Sequence, residues 1–86
     1  MTSRDLVLPD LGFGQRPVVV SLWLVRRGTR VTAGMPLIEV LAGGAVVDLP
    51  SPADGVLTRK LVAENDVLRV GQRLAIIEWD SGERGA

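Results

Sequence analysis

The sequence predicts an all-β domain, a small sandwich or flattened barrel. Three observations carry this. No segment shows helical periodicity over the ~11 residues that would mark an amphipathic helix. Turn signals recur every several residues, which is the spacing of short strands. The two halves also repeat: an offset of 37 residues lays Gly28-Thr29-Arg30-Val31-Thr32-Ala33-Gly34 over Asn65-Asp66-Val67-Leu68-Arg69-Val70-Gly71.

The strands follow in order. Leu6-Val7-Leu8 is an apolar run stopped by Pro9. The loop Asp10-Leu11-Gly12-Phe13-Gly14 follows, with Asp and Gly suited to turn geometry. The Gly12/Gly14 pair lacks a third Gly and a following helix, so it is no dinucleotide fingerprint. Residues 17–25 form the longest strand candidate, with Val18, Val20, Leu22 and Leu24 on one face. Trp23 on the other face reads as packing, because bare aromatic surface is costly. Residues 30–31 make a short strand and residues 37–41 the next. Gly43-Gly44 then supplies φ > 0 without a Cβ clash, as a two-residue primed hairpin turn needs. Residues 46–49 return, and Pro50-Ser51-Pro52 marks a strand end or an edge. Strands over 56–62, 67–70 and 73–79 complete the fold. Residues 80–86 are Ser, Gly and charged types without apolar anchors, and read as a flexible tail or the start of a linker.

The repeat implies two similar sheets related by a quasi-two-fold axis. The Gly43-Gly44 hairpin then lies at one end of the molecule and the chain termini at the other. Gly28 over Asn65 makes physical sense, since Asn is the side chain that best tolerates the left-handed region.

Composition excludes much chemistry. The 86 residues make one domain. Ten bases and ten acids give zero net charge, which argues against nucleic acid or an anionic membrane as partner. The chain has no Cys and no His, so thiol nucleophiles, imidazole bases, and thiolate and imidazole metal ligands are missing. Glu39 and Glu78 stand at different offsets in the repeat, so a catalytic carboxylate pair is not supported. Asp10, Asp48 and Asp54 lie near turns, where Asp caps or solvates. The N-terminus carries no signal-peptide core and no apolar run spans a bilayer, which makes a cytoplasmic protein the expectation.

A set of short motifs then makes the reading specific. Leu8-Pro9-Asp10-Leu11-Gly12 comes first, followed by Trp23-Leu24-Val25-Arg26-Arg27-Gly28 and Val31-Thr32-Ala33-Gly34-Met35-Pro36-Leu37. Glu39-Val40, Pro50-Ser51-Pro52-Ala53-Asp54-Gly55-Val56, Val70-Gly71, Leu74 and Ile77-Glu78 complete it. Their order and spacing resemble the biotinyl/lipoyl carrier family, most of all the N-terminal lipoyl domain of E2 acyltransferases from 2-oxoacid dehydrogenase complexes. The resemblance implies a flattened barrel of two four-stranded antiparallel sheets over residues 1–79. In that family the hairpin tip reads Glu-Thr-Asp-Lys-Ala and the Lys carries lipoate or biotin. Here the tip is Leu41-Ala42-Gly43-Gly44-Ala45, with Gly44 at the Lys position and Gly43 at the preceding acid. Neither cofactor is therefore expected. Lys60, the chain's one lysine, falls mid-strand and away from the tip, and reads as a solvated strand residue. Phe13 stands where the family usually carries Glu, either as a docking contact or as an apolar cover for the hairpin.

The resemblance implies a scaffold kept after its chemistry is lost. One reading is a non-lipoylated interaction or tethering module at the N-terminus of an E2-like acyltransferase, such as those of natural-product pathways. Its partner would be a catalytic domain in the same chain or an acyl-carrier or E1-like protein. The alternatives are a free-standing degenerate adaptor, a structural remnant, or a carrier modified elsewhere. This chain itself is not expected to be an enzyme. The candidate interaction surface is Phe13, Gly14, Leu41, Ala42, Gly43 and Gly44.

Overall fold

The computed structural model describes residues 1–14 and 16–80. The described residues form eight strands: β1 (Thr2–Val7), β2 (Val18–Trp23), β3 (Arg30–Val31), β4 (Pro36–Ala42), β5 (Ala45–Pro50), β6 (Gly55–Lys60), β7 (Val67–Leu68) and β8 (Arg73–Trp79). They form two four-stranded antiparallel sheets, ordered β1-β8-β6-β3 and β5-β4-β2-β7. Among the described residues no helix is long and apolar enough to cross a membrane. The tail expected over 80–86 lies, from residue 81 onward, outside the described residues.

The internal repeat is carried through to the hydrogen bonds. Adding 37 to β2, β3 and β4 gives β6, β7 and β8 at every boundary. The register shift between Val20 and Leu22 against β4 recurs between Leu57 and Arg59 against β8. Gly28 N donates to Leu57 O at 2.7 Å, and Asn65 N donates to Val20 O at 2.8 Å. Each bond runs from one half's connection to the other half's strand, so the halves clasp each other. Gly28 has φ 93 and Asn65 φ 77, the one non-Gly residue with positive φ among those described.

The core is built by the inward positions of this repeat. Val20 and Leu57, Leu37 and Leu74, and Val40 and Ile77 are each fully buried counterparts. Leu8 finds its counterpart in Ser51, the one buried polar side chain described, whose hydroxyl donates to Ala53 O at 2.7 Å. That bond satisfies a group that would otherwise destabilise the interior. Trp23 packs partly buried against the core, and its Nε1 donates to Val62 O at 3.0 Å.

Several boundaries differ from the sequence expectation, and the sheet partner explains each. β1 begins at Thr2 rather than at residue 6, because β8 pairs with the polar residues Thr2 to Asp5 as far as Trp79. β2 and β6 stop short, at Trp23 and Lys60, where the chain leaves one sheet for the other. Lys60 therefore closes β6 instead of lying mid-strand. It is half-buried, with Nζ 4.9 Å from the Trp23 ring centroid, so it makes a cation–π contact and is not a plain solvated residue.

Gly55 is fixed by crowding. A Cβ there would lie 2.5 Å from the Glu78 carbonyl oxygen. Backbone cannot swing aside as a side-chain tip can. Gly55→Ala is expected to lower unfolding free energy by about 1–3 kcal/mol, read as a fall in the urea midpoint at unchanged slope. An unchanged midpoint would show that β6 shifts freely against β8.

Candidate functional site

The β4–β5 hairpin ends in Gly43 (φ 57) and Gly44 (φ 81), between the paired Ala42 and Ala45. Positive φ at both central residues is the primed turn whose twist suits adjoining strands. Both glycines are exposed, so the tip presents backbone alone. Ala42, expected on the surface, is instead 1% exposed. Its position in β4 points its methyl inward, beside the core residues Val18 and Val40, which removes it from any contact surface.

The loop between β1 and β2 reaches this tip. It covers residues 8–17, whereas its symmetry counterpart between β5 and β6 covers only 51–54. The longer loop carries Phe13, and a Cβ built on Gly43 would lie 2.5 Å from Phe13 Cδ1. The ring therefore lies over Gly43 and covers the hairpin, while Gly14 beside it is exposed. Asp10 holds the start of the loop by accepting from Gly12 N at 2.9 Å. Behind Phe13 an open cleft of about 580 Å³ is lined by Leu11, Arg16, Val67, Arg69 and Val70 among others.

The tip and its surroundings bring Phe13, Gly14, Gly43, Gly44 and Leu41 to one end of the molecule. They do not bring an amine there. Lys60 ends β6, beside Trp23, and Trp23 stands five residues along β2 from the tip-side Val18. Glu39 and Glu78 lie on different sheets, so these carboxylates share no cleft. Asp54 caps a turn by accepting from Ala33 N at 2.7 Å. On the outer sheet face that flanks the tip, sequence reasoning named Leu41 but missed its neighbour Val46. Val46 and Leu41 are directly paired across β5 and β4 and both are exposed.

The family model described as "Biotin-requiring enzyme" matches residues 4–77. The chain is 32% identical over 76 residues to the dihydrolipoyllysine-residue acetyltransferase component of the acetoin cleaving system of Cupriavidus necator, covering 88% of this chain and 20% of that protein. It is 30% identical over 80 residues to the lipoamide acyltransferase component of the branched-chain alpha-keto acid dehydrogenase complex of Bacillus subtilis, covering 93% of this chain and 19% of that protein. The chain thus spans about a fifth of the length of these two curated relatives. The solution structure of the lipoyl domain of the 2-oxoglutarate dehydrogenase complex from Azotobacter vinelandii superposes with a TM-score of 0.71 at 20% identity, covering 87% of this chain and 95% of that one. That likeness concerns the fold.

Proposed function

Because the chain belongs to the biotin/lipoyl family, we propose that it is a lipoyl-type domain that carries neither lipoate nor biotin and works as a protein-interaction or tethering module. The observation behind this is the tip itself. The family attaches its cofactor through a hairpin lysine, and the tip here is Gly43-Gly44, with Phe13 lying over Gly43. Glycine offers no amine to acylate. The lone Lys60 is engaged with Trp23 at the far end of β2.

These relatives are acyltransferase components of larger enzyme systems, which supports a parent of that kind with a catalytic acyltransferase domain in the same chain. The same proposal places that parent in the cytoplasm. Such a parent would draw its acyl group from a separate carrier, acetyl-CoA or an acyl carrier protein, because this domain supplies no swinging arm. The domain then contributes position rather than chemistry.

The test is the intact mass of the protein purified from its native source. A larger mass with acyltransferase peptides and no lipoyl or biotinyl addition is the expected result. The bare mass of this chain would favour the free-standing adaptor. A lipoyl or biotinyl addition on this segment would overturn the proposal.

A further inference from the structure

The outer face of the sheet β5-β4-β2-β7 carries an apolar row one residue pair behind the tip. Val46 pairs with Leu41, Leu41 with Val19, and Val19 with Val67, so one line of side chains crosses all four strands. At typical strand spacing this row is roughly 15 Å long. Val46 is 59% exposed, Leu41 42% and Val67 66%. A solvated sheet face ordinarily alternates apolar-in with polar-out.

The quasi-two-fold repeat supplies an internal control. The equivalent row on the other sheet is Ser3, Glu78, Val56 and Arg30, paired in the same sequence across β1, β8, β6 and β3. Three of these four positions are thus polar or charged where the hairpin sheet is apolar, and Val56, the counterpart of Val19, is the exception. The same fold therefore builds its second sheet without a continuous apolar row at this place.

Charge divides in the same way. The strands of the other sheet hold Arg4, Arg30, Arg59, Lys60 and Arg73, and those of the hairpin sheet hold no Lys or Arg. The next row on the hairpin sheet pairs Glu39 directly with Asp48. Like charges in that relation destabilise a sheet. Glu39 accepts from the Ser21 hydroxyl at 3.0 Å, but neither carboxylate has a basic partner among the described residues. Asp5, the counterpart of Asp48 on the other sheet, has one: Arg73 Nε lies 2.8 Å from its carboxylate.

We infer that the outer face of the hairpin sheet docks a partner protein segment that presents apolar side chains beside basic ones. The apolar portion lies along Val46, Leu41, Val19 and Val67, and the bases meet Glu39 and Asp48. This deepens, and rests on, the reading of the domain as an interaction module. A second copy laid face to face brings no base from its own hairpin-sheet strands, so charge complementarity favours a different partner.

The probe is a short synthetic peptide alternating leucine and arginine, with a leucine–glutamate peptide as its control, titrated into the isotope-labelled full chain. The arginine peptide is expected to move the amide resonances of Val19, Glu39, Leu41, Val46, Asp48 and Val67 saturably, and the glutamate peptide is not. Leu41→Thr with Val46→Thr keeps strand propensity and is expected to weaken binding about tenfold, as is Glu39→Gln with Asp48→Asn. Val56→Thr on the opposite sheet is expected to leave binding unchanged. Equal response to both peptides, or shifts confined to the tip and Phe13, would overturn the docking row and leave the module reading standing. Concentration-dependent self-association that broadens the same resonances without peptide would replace the partner by a second copy. A lipoyl mass on the native chain would instead remove the module reading, whatever the titration showed.

Discussion

The Gly43→Asp, Gly44→Lys double variant is expected to be a poor substrate for a lipoate ligase, and adding Phe13→Ala is expected to raise its modification several-fold. The reason lies in space and backbone. A Cβ at position 43 would lie 2.5 Å from Phe13 Cδ1, so the aspartate enters only if the ring leaves. A Cβ at position 44 meets nothing within 4 Å, so room is not the obstacle there. Both positions have positive φ, 57 and 81. Side chains in that region cost about 1–2 kcal/mol each, somewhat less for Asp. The double variant should therefore be less stable than the parent, and some of the loss should vanish in the Phe13→Ala background. A coupling between positions 13 and 43 in a double-mutant cycle measures that share. Mass spectrometry after incubation with lipoate, ATP and the ligase reads the modification. Full modification with Phe13 in place would show that the ring is no barrier. An unmodified triple variant would show that recognition was lost beyond the tip and its loop.

Leu57→Ala is expected to cost about 2–5 kcal/mol, a large share of the roughly 5–15 kcal/mol available to a whole domain. Leu57 is fully buried. It also stands where the halves clasp: its carbonyl accepts from Gly28 at 2.7 Å and its amide donates to Thr29 O at 3.0 Å. A cavity there loosens the packing of β6 and the crossing connection together. Leu41→Thr, on the exposed face, is expected to change stability by less than about 0.5 kcal/mol. Urea unfolding of the two variants beside the parent checks both values. Equal midpoints for the two variants would mean that Leu57 is not a packing centre.

Much of the architecture could be read from the sequence because it is stated twice there. The offset of 37 residues that lays Gly28 over Asn65 reappears as matched strands, matched register shifts and matched left-handed residues. The Gly43-Gly44 turn was legible because few dipeptides satisfy two positive φ values. Other features depend on partners distant in the chain. Thr2 to Asp5 carry no apolar pattern and become strand only because β8 offers a ladder. Lys60 reads as a surface residue until the fold sets Trp23 beneath it. Ala42 sits beside the tip in sequence, yet the strand alternation that continues to the turn buries it. The apolar row is spread over four strands, and no single strand announces it. Register alone assembles Val46, Leu41, Val19 and Val67 into a line. The contact of Phe13 with Gly43 joins residues that a linear reading can suspect only from family likeness.

The pairing of Thr2 with Trp79 places the two ends of the fold side by side on adjacent antiparallel strands, β1 and β8. Tension applied between those ends would act across the ladder, not along it. Hydrogen-bonded pairs would then separate in succession from the ends inward, as a zip opens, instead of resisting together in shear. A tether fixed at one end only would transmit no such force through the ladder. This geometry suits a domain that hangs from a single linker, and it would make the same domain a weak link if it were pulled between two anchored neighbours.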